Sequence, residues 1–470
     1  DIAAHSLAAI QKAPLKKLHM FGRRGPIEAG FTPKELGELR ELERAVAVID
    51  PAQLPDKVEG EFEGREKGVK EKNLAIFKEL AAHRAGTKPI TMKVEFYYDS
   101  TVQPGATFTT NNAKAVELGF PNYYSLSLYL HSIDEKWLLT TLNALTSQTD
   151  TAFAEFLASG AKKLRVKKMG PWDFDYALRE AVSLPNKYFP EDSVFSVIHR
   201  FQREIGFPVD SLPIKEVVKD IPYGGLSLAI TIPGDSRFLV NPTKGKGFYQ
   251  VAFHEYGHSL KAVHTNVEFP ILKGYEWIPG AQCAAYEEGV ADMHGEFTDD
   301  SLWLATYTKA KPKEITRYIE GRGIPALYRL RRLLKDFFIE YEMYKDPKQD
   351  LAALERAMFA KYLRVEVDST EQHQYAASIW YTSYPCYYQN YILAGMIATQ
   401  LQEAMTSKFG EEKIHRGELA AWMSSHLYQS GETTEWTERI RNATGKSLET
   451  GAFLRKLGVD QNRILTKEDE

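Results

Sequence analysis

The chain has 470 residues, 43% hydrophobic and 26% charged, which is enough for a substantial globular core. Its 59 basic and 63 acidic side chains leave a formal net charge of −4, offering no field to gather nucleic acid or an anionic membrane. No apolar run approaches the ~18 residues of a membrane span. With only two cysteines, a disulfide scaffold or a cysteine-built zinc site is excluded.

The opening block, DIAAHSLAAIQKAPLKKLHMFGRRGP, lacks the unbroken apolar centre of a signal peptide and starts at Asp1 rather than methionine. Export, periplasmic or secreted, is the favoured localisation. Helical periodicity then predicts helices over 36–48 (LGELRELERAVAV), 72–82 (KNLAIFKELAA) and 135–158, with apolar residues at three- and four-residue spacing. The charged stretch 56–73 reads as a solvated helix or loop. The basic run KKLRVKK (162–168), closed by Gly170 and Pro171, reads as surface at a seam between two halves. LSLAITI (226–232) and RFLVNP (237–242), joined by PGDS, predict a β-hairpin whose exposed edge can hold an extended peptide. Further helices are predicted over 328–344 (YRLRRLLKDFFIEYEMY) and 391–409, the latter stopped by Gly410.

Just after the hairpin, residues 251–264 read VAFHEYGHSLKAVH and contain His-Glu-x-x-His. Positions i and i+4 share a helix face, so His254 and His258 can converge on one zinc ion. Glu255 then sits beside the ion, where a carboxylate serves as general base for an attacking water. Chance yields this motif in roughly one or two in a hundred chains of such composition. The bland alternative, two core histidines, leaves two imidazoles and a carboxylate in an apolar helix with nothing to satisfy them.

Catalytic zinc keeps three protein ligands and one open position, so a third ligand should follow. AAYEEGVADMHGEF (284–297) supplies it on a predicted helix. Glu288 is assigned to the metal, with Glu287 as its rival, and Asp292 to a hydrogen bond on a ligating histidine, His254. His264 and His294 are ligands in principle but read more simply as surface or core residues. Cys283 and Cys386 read as buried small hydrophobes near this region, with a bond between them left open.

With those motifs in place, the chain resembles the gluzincin zinc metallopeptidases of the helical group that includes angiotensin-converting enzyme, thimet oligopeptidase, oligoendopeptidase F and carboxypeptidase Taq. LGFPNYYSLSL (118–128), GPWDFDYALRE (170–180), KYFPEDSVFSVIHRFQREIGF (187–207) and DIPYGG (220–225) resemble the oligoendopeptidase branch. The Glu-x-x-x-Asp at 288–292 is closer to the converting-enzyme branch. SYPCYYQNYILAGMIATQL (383–401) is similar to the tyrosine-bearing helix of converting enzyme and carboxypeptidase Taq. The resemblance spans about residues 90–405.

It implies a mainly α, two-lobed helical ellipsoid with a deep substrate channel and the small hairpin beside the His-Glu-x-x-His helix. That is a single peptidase domain over 1–470, with lobes 1–165 and 166–470 and the active site between them. It implies one Zn2+ per chain, short peptide substrates, an oxyanion-stabilising phenol at Tyr387 and a supporting or substrate-binding tyrosine at Tyr384. Ser227, Leu228 and Ala229 would align the peptide. His373 and Gln374 lie near the region that grips substrate, though their spacing departs from the converting-enzyme pattern. The alternative is a zinc-containing peptide-binding protein without catalysis, which would need neither Glu255 nor the tyrosines. A purely structural zinc would need a fourth protein ligand that the local sequence does not offer.

Overall fold

A computed structural model describes residues 17–22, 26, 33–58, 65–96, 106–179, 183–275, 283–367 and 380–459. The chain divides into two compact units, Asp1–Gln103 and Pro104–Glu470. The seam expected near 165 lies inside the second unit.

The first unit runs β1 (Lys17–Gly22), α1 (Pro33–Glu38), β2 (Ala45–Ile49), α2 (Arg65–Ala81) and β3 (Ile90–Phe96). Its sheet is parallel throughout, in the order β1-β3-β2. The helix expected over 36–48 is therefore corrected: it stops at Glu38, and AVAVI continues as a strand. Val46, Val48 and Ile49 are β-branched, and Ala47 and Ile49 join a core with Leu36, Phe77, Leu80 and Val94. Burial in a parallel sheet outweighs the helical spacing of the charged residues upstream. The helix expected over 72–82 is present within α2.

The second unit contains α3 (Ala106–Glu117), α4 (Tyr123–Leu130), α5 (Glu135–Gln148), α6 (Asp150–Leu164), α7 (Asp173–Arg179) and α8 (Val194–Glu204). The helix expected over 135–158 is two helices, broken at Thr149. Buried Arg331 pins the break, donating to Thr146 O at 2.8 Å and to Asp150 Oδ1 at 2.8 Å. The basic run at 162–168 begins in the last turn of α6, where Lys162 and Lys163 face the carbonyl end of the helix dipole, and Arg165 caps it at φ 57°.

Next come β4 (Ile214–Val218), β5 (Gly225–Thr231) and β6 (Asp235–Val240), then α9 (Lys246–His264) and α10 (Ala284–Glu296). The expected hairpin is present as antiparallel β5 and β6, and β4 adds a parallel strand that its sequence, IKEVV, did not announce. The buried face of the sheet packs on α9, with Phe238 edge-on to Tyr256 at 5.8 Å between ring centroids. The chain continues as α11 (Ser301–Tyr307), α12 (Pro312–Gly321), α13 (Gly323–Lys345) and α14 (Leu351–Met358). It ends in α15 (Trp380–Ser383), α16 (Tyr388–Phe409), α17 (Leu419–Met423), α18 (Trp436–Thr444) and α19 (Gly451–Lys456). The helices expected over 328–344 and 391–409 are present in α13 and α16, and Gly410 ends the latter at φ 79°.

α10 lies against both α9 and α16. Glycines set those approaches: a Cβ on Gly257 would stand 2.8 Å from His294 Cδ2, and one on Gly289 would stand 2.7 Å from Ile397. The fold is mainly helical with small sheets. Among the described residues, no helix is long and apolar enough to cross a membrane.

Candidate active site

His254 and His258 leave one face of α9, one turn apart. Their Nε2 atoms lie 3.2 Å from each other, and Glu288 Oε2 on α10 stands 3.5 Å from His254 Nε2. Ligand atoms of all three residues fall within 4.8 Å of one another, and no other such group occurs among the described residues. Donors ~2.0–2.2 Å from a tetrahedral cation sit roughly 3.3–3.6 Å apart, close to the 3.2 and 3.5 Å separations about His254 Nε2, so the donor set fits one zinc-sized ion.

Asp292, one turn beyond Glu288, accepts a hydrogen bond from His254 Nδ1 at 2.9 Å. Holding the proton on Nδ1 leaves the Nε2 lone pair for a metal. Burial alone would lower the His254 pKa, but the hydrogen bond and charge of Asp292, with Glu288 and Glu255 beyond, raise it to about 9. Burial and the adjacent His254 hold His258 well below the usual histidine range. Burial would raise the Asp292 pKa, yet the bond and charge of His254 keep it below the ordinary carboxylate value. Three carboxylates thus surround a point where two imidazoles converge, a field that attracts a cation.

Glu255 is buried at 7% exposure and faces the same space. It lies so close to β5 that a Cβ on Gly225 would come within 2.6 Å of its Cγ. The shared space is a cavity of about 1330 Å3, lined by described residues between Gly224 and Tyr391. Ser227, Leu228 and Ala229 line it in succession. The face of a sheet presents alternate residues, so consecutive ones mark an edge, and β5 is an outer strand of its sheet. Ser227 Oγ also lies 3.1 Å from Ser259 Oγ on α9, which ties the edge to the ligand helix.

Tyr387, just ahead of α16, lines the cavity and donates from its hydroxyl to Glu288 Oε1 at 2.8 Å. Tyr384 stands beside it, 6.3 Å between ring centroids. It is 52% exposed and outside the cavity lining, and the backbone takes φ 59° at Cys386 between the two. Both tyrosines also pack on Trp380, which lines the cavity, at 5.2 and 6.0 Å between ring centroids. His373 and Gln374 lie outside the described residues.

Glu287, the rival ligand, is engaged elsewhere: Lys261 Nζ stands 2.8 Å from its Oε1 in a buried group with Glu432 and Arg439. His294 is a core residue bonded to the Tyr428 hydroxyl at 2.7 Å, and burial pushes its pKa down to about 3. His264 bonds its own helix at Leu260 O. Cys283 and Cys386 are both free and buried. Arg329, Arg332, Trp380 and Tyr391 also line the cavity, and only the apolar face of α13 had been legible in its sequence.

The sequence model of the family described as Carboxypeptidase Taq (M32) metallopeptidase matches residues 338–460. The matched segment holds Tyr387, lies downstream of His254, His258 and Glu288, and runs past the limit of 405 read from sequence. Among solved structures, the chain is similar to the M32 carboxypeptidase of Deinococcus radiodurans R1. Identity is 15% with a TM-score of 0.53, covering 75% of this chain and 72% of that one. Metallocarboxypeptidase 1 of Trypanosoma cruzi aligns at 17% identity and TM-score 0.51, over 76% and 75% of the two chains. A provisionally assigned oligoendopeptidase F of Bacillus anthracis str. Ames aligns at 15% identity and TM-score 0.55, over 78% and 63%. At 15–17% identity these likenesses are of fold.

The family match is confined to residues 338–460, and the solved structures share the fold. Among curated proteins, a 54-residue stretch is 44% identical to NADPH-ferredoxin reductase FprA of Mycobacterium tuberculosis, covering 12% of this chain and 12% of the reductase. The chain thus spans 12% of the length of the first curated relatives it matches. The peptidase likeness lies in the fold and in the segment that carries Tyr387.

Proposed function

We propose that this chain hydrolyses peptide bonds in short peptides, with one zinc ion held by His254, His258 and Glu288. The single observation that carries the reading is the gathering of those three donor groups, from two packed helices, beside an open cavity. Zinc bound there supplies Lewis acidity toward the scissile carbonyl and makes an attacking water acidic near neutrality. Glu255 accepts the water's proton on its carboxylate and returns it to the departing amine. Tyr387 turns its hydroxyl from Glu288 to the carbonyl oxygen as negative charge builds there. Asp292 keeps the proton on His254 Nδ1. The outer edge of β5 at Ser227–Ala229 aligns the peptide by main-chain hydrogen bonds, and the concave shape of the cavity favours short chains over folded ones.

The test is to incubate the pure protein with a mixed peptide library, with and without a chelator, and to weigh the products. Cleavage that the chelator abolishes and added zinc restores is expected. Release of single C-terminal residues would mark a carboxypeptidase mode, and internal fragments an endopeptidase mode. Peptides retained uncut by the zinc-loaded protein would sink the reading in favour of a binding protein.

A further inference from the structure

Tyr387 does not ride on a regular helix face. It is the residue before α16, and the preceding Cys386 has φ 59°, a left-handed conformation that L side chains rarely adopt. A reversal of that kind persists only where the surroundings over-determine it. Here both peptide groups of Cys386 are tied to side chains from other elements. Glu340 Oε1 on α13 accepts the Cys386 N–H at 2.7 Å. Gln389 Nε2 donates to Cys386 O, and the Tyr124 hydroxyl of α4 holds Gln389 Oε1 at 2.6 Å.

Glu340 is fully buried, and its second oxygen, Oε2, has no hydrogen-bond partner among the described residues. An apolar side chain would fill this space without such a penalty. A buried carboxyl with one main-chain partner makes sense if that partner's conformation matters. The next residue along is the one whose hydroxyl reaches Glu288.

We propose that Glu340 is a positioning residue for catalysis, fixing the reversal at Cys386 that aims the Tyr387 hydroxyl at the metal-ligand cluster. The inference rests on the role given to Tyr387 above.

A double-mutant cycle on the full zinc-loaded chain tests it, using Glu340→Ala, Glu340→Gln, Tyr387→Phe and the combined Glu340→Ala/Tyr387→Phe. Glu340→Ala is expected to lower kcat by about tenfold or more with KM changed less than about twofold and zinc content unchanged. Glu340→Gln keeps an acceptor for the Cys386 N–H and should stay within about threefold of wild type. In the Tyr387→Phe background, Glu340→Ala should change kcat by less than about twofold, because the group it positions is gone. Where Glu340→Ala does not fold, Glu340→Asp replaces it in the cycle, its carboxylate withdrawn by about 1.5 Å.

Equal losses from the Glu340 substitution in both backgrounds, or an unchanged kcat in the wild-type background, would overturn the inference alone. A Tyr387→Phe variant with unchanged kcat would instead remove the role of Tyr387, and this inference with it.

Discussion

The two sides of the cavity hold their chemistry in different ways. On one side, His254, Glu255, His258, Glu288 and Asp292 stand on α9 and α10, and helical spacing fixes their directions. On the other, Tyr387 stands at a backbone reversal held by buried polar groups from α4, α13 and α16. A helix carries its geometry within its own hydrogen bonds, whereas the reversal borrows its geometry from distant residues. Substitutions on the helical side should therefore act locally, and those around the reversal at a distance.

The largest expected effect is on the helical side. Glu255→Gln preserves shape and should keep zinc at one equivalent while turnover falls by on the order of 10²–10⁴-fold, read by steady-state kinetics and metal analysis. Near-normal turnover would remove Glu255 as the base. Tyr387→Phe should lower kcat by about 10²-fold while KM rises far less, which would place the hydroxyl's contribution in the transition state. A matching rise in KM would recast it as a substrate contact.

Asp292→Ala should weaken zinc binding by about 10–100-fold in competition with a chelator, because His254 loses the partner that orients its ring. Unchanged affinity would show that α9 alone orients it. The smallest effect concerns the reversal side. Burial raises the Glu340 pKa from its ordinary 4.5 to about 8, against the pull of the Cys386 N–H and with Asp336 adding to the rise. The folded chain then holds this proton more tightly than the unfolded one. Its stabilising contribution is full below pH 4.5 and is lost as pH climbs through 8. Against Glu340→Gln, wild type should lose relative stability across that window by no more than about 1.4 kcal/mol per pH unit in denaturant titrations. A flat difference would mean that Glu340 titrates normally.

This contrast also separates what the sequence made legible from what it hid. The spacing of His254, His258, Glu288 and Asp292 is a one-dimensional signal, and all four side chains converge. The edge at Ser227–Ala229 was legible because PGDS punctuates two apolar runs. The helix expected over 36–48 failed at AVAVI, because a parallel sheet partner far along the chain decides its state. Tyr384 and Tyr387 were named through the resemblance, and their shared packing on Trp380 was not legible in the spacing. Glu340 sits in YRLRRLLKDFFIEYEMY among residues that read as an ordinary amphipathic helix, and only its three-dimensional partner at Cys386 sets it apart. Glu287 and Glu288 are adjacent and chemically alike in sequence. Lys261, which claims Glu287, resolves them.

The outer edge of β5, paired with no further strand among the described residues, has a consequence for ligand chemistry. An added strand pairs with its neighbour only through the amides that point toward it, and these alternate along the chain. A series of peptides N-methylated at one position after another should therefore lose and keep affinity in turn, with a period of two.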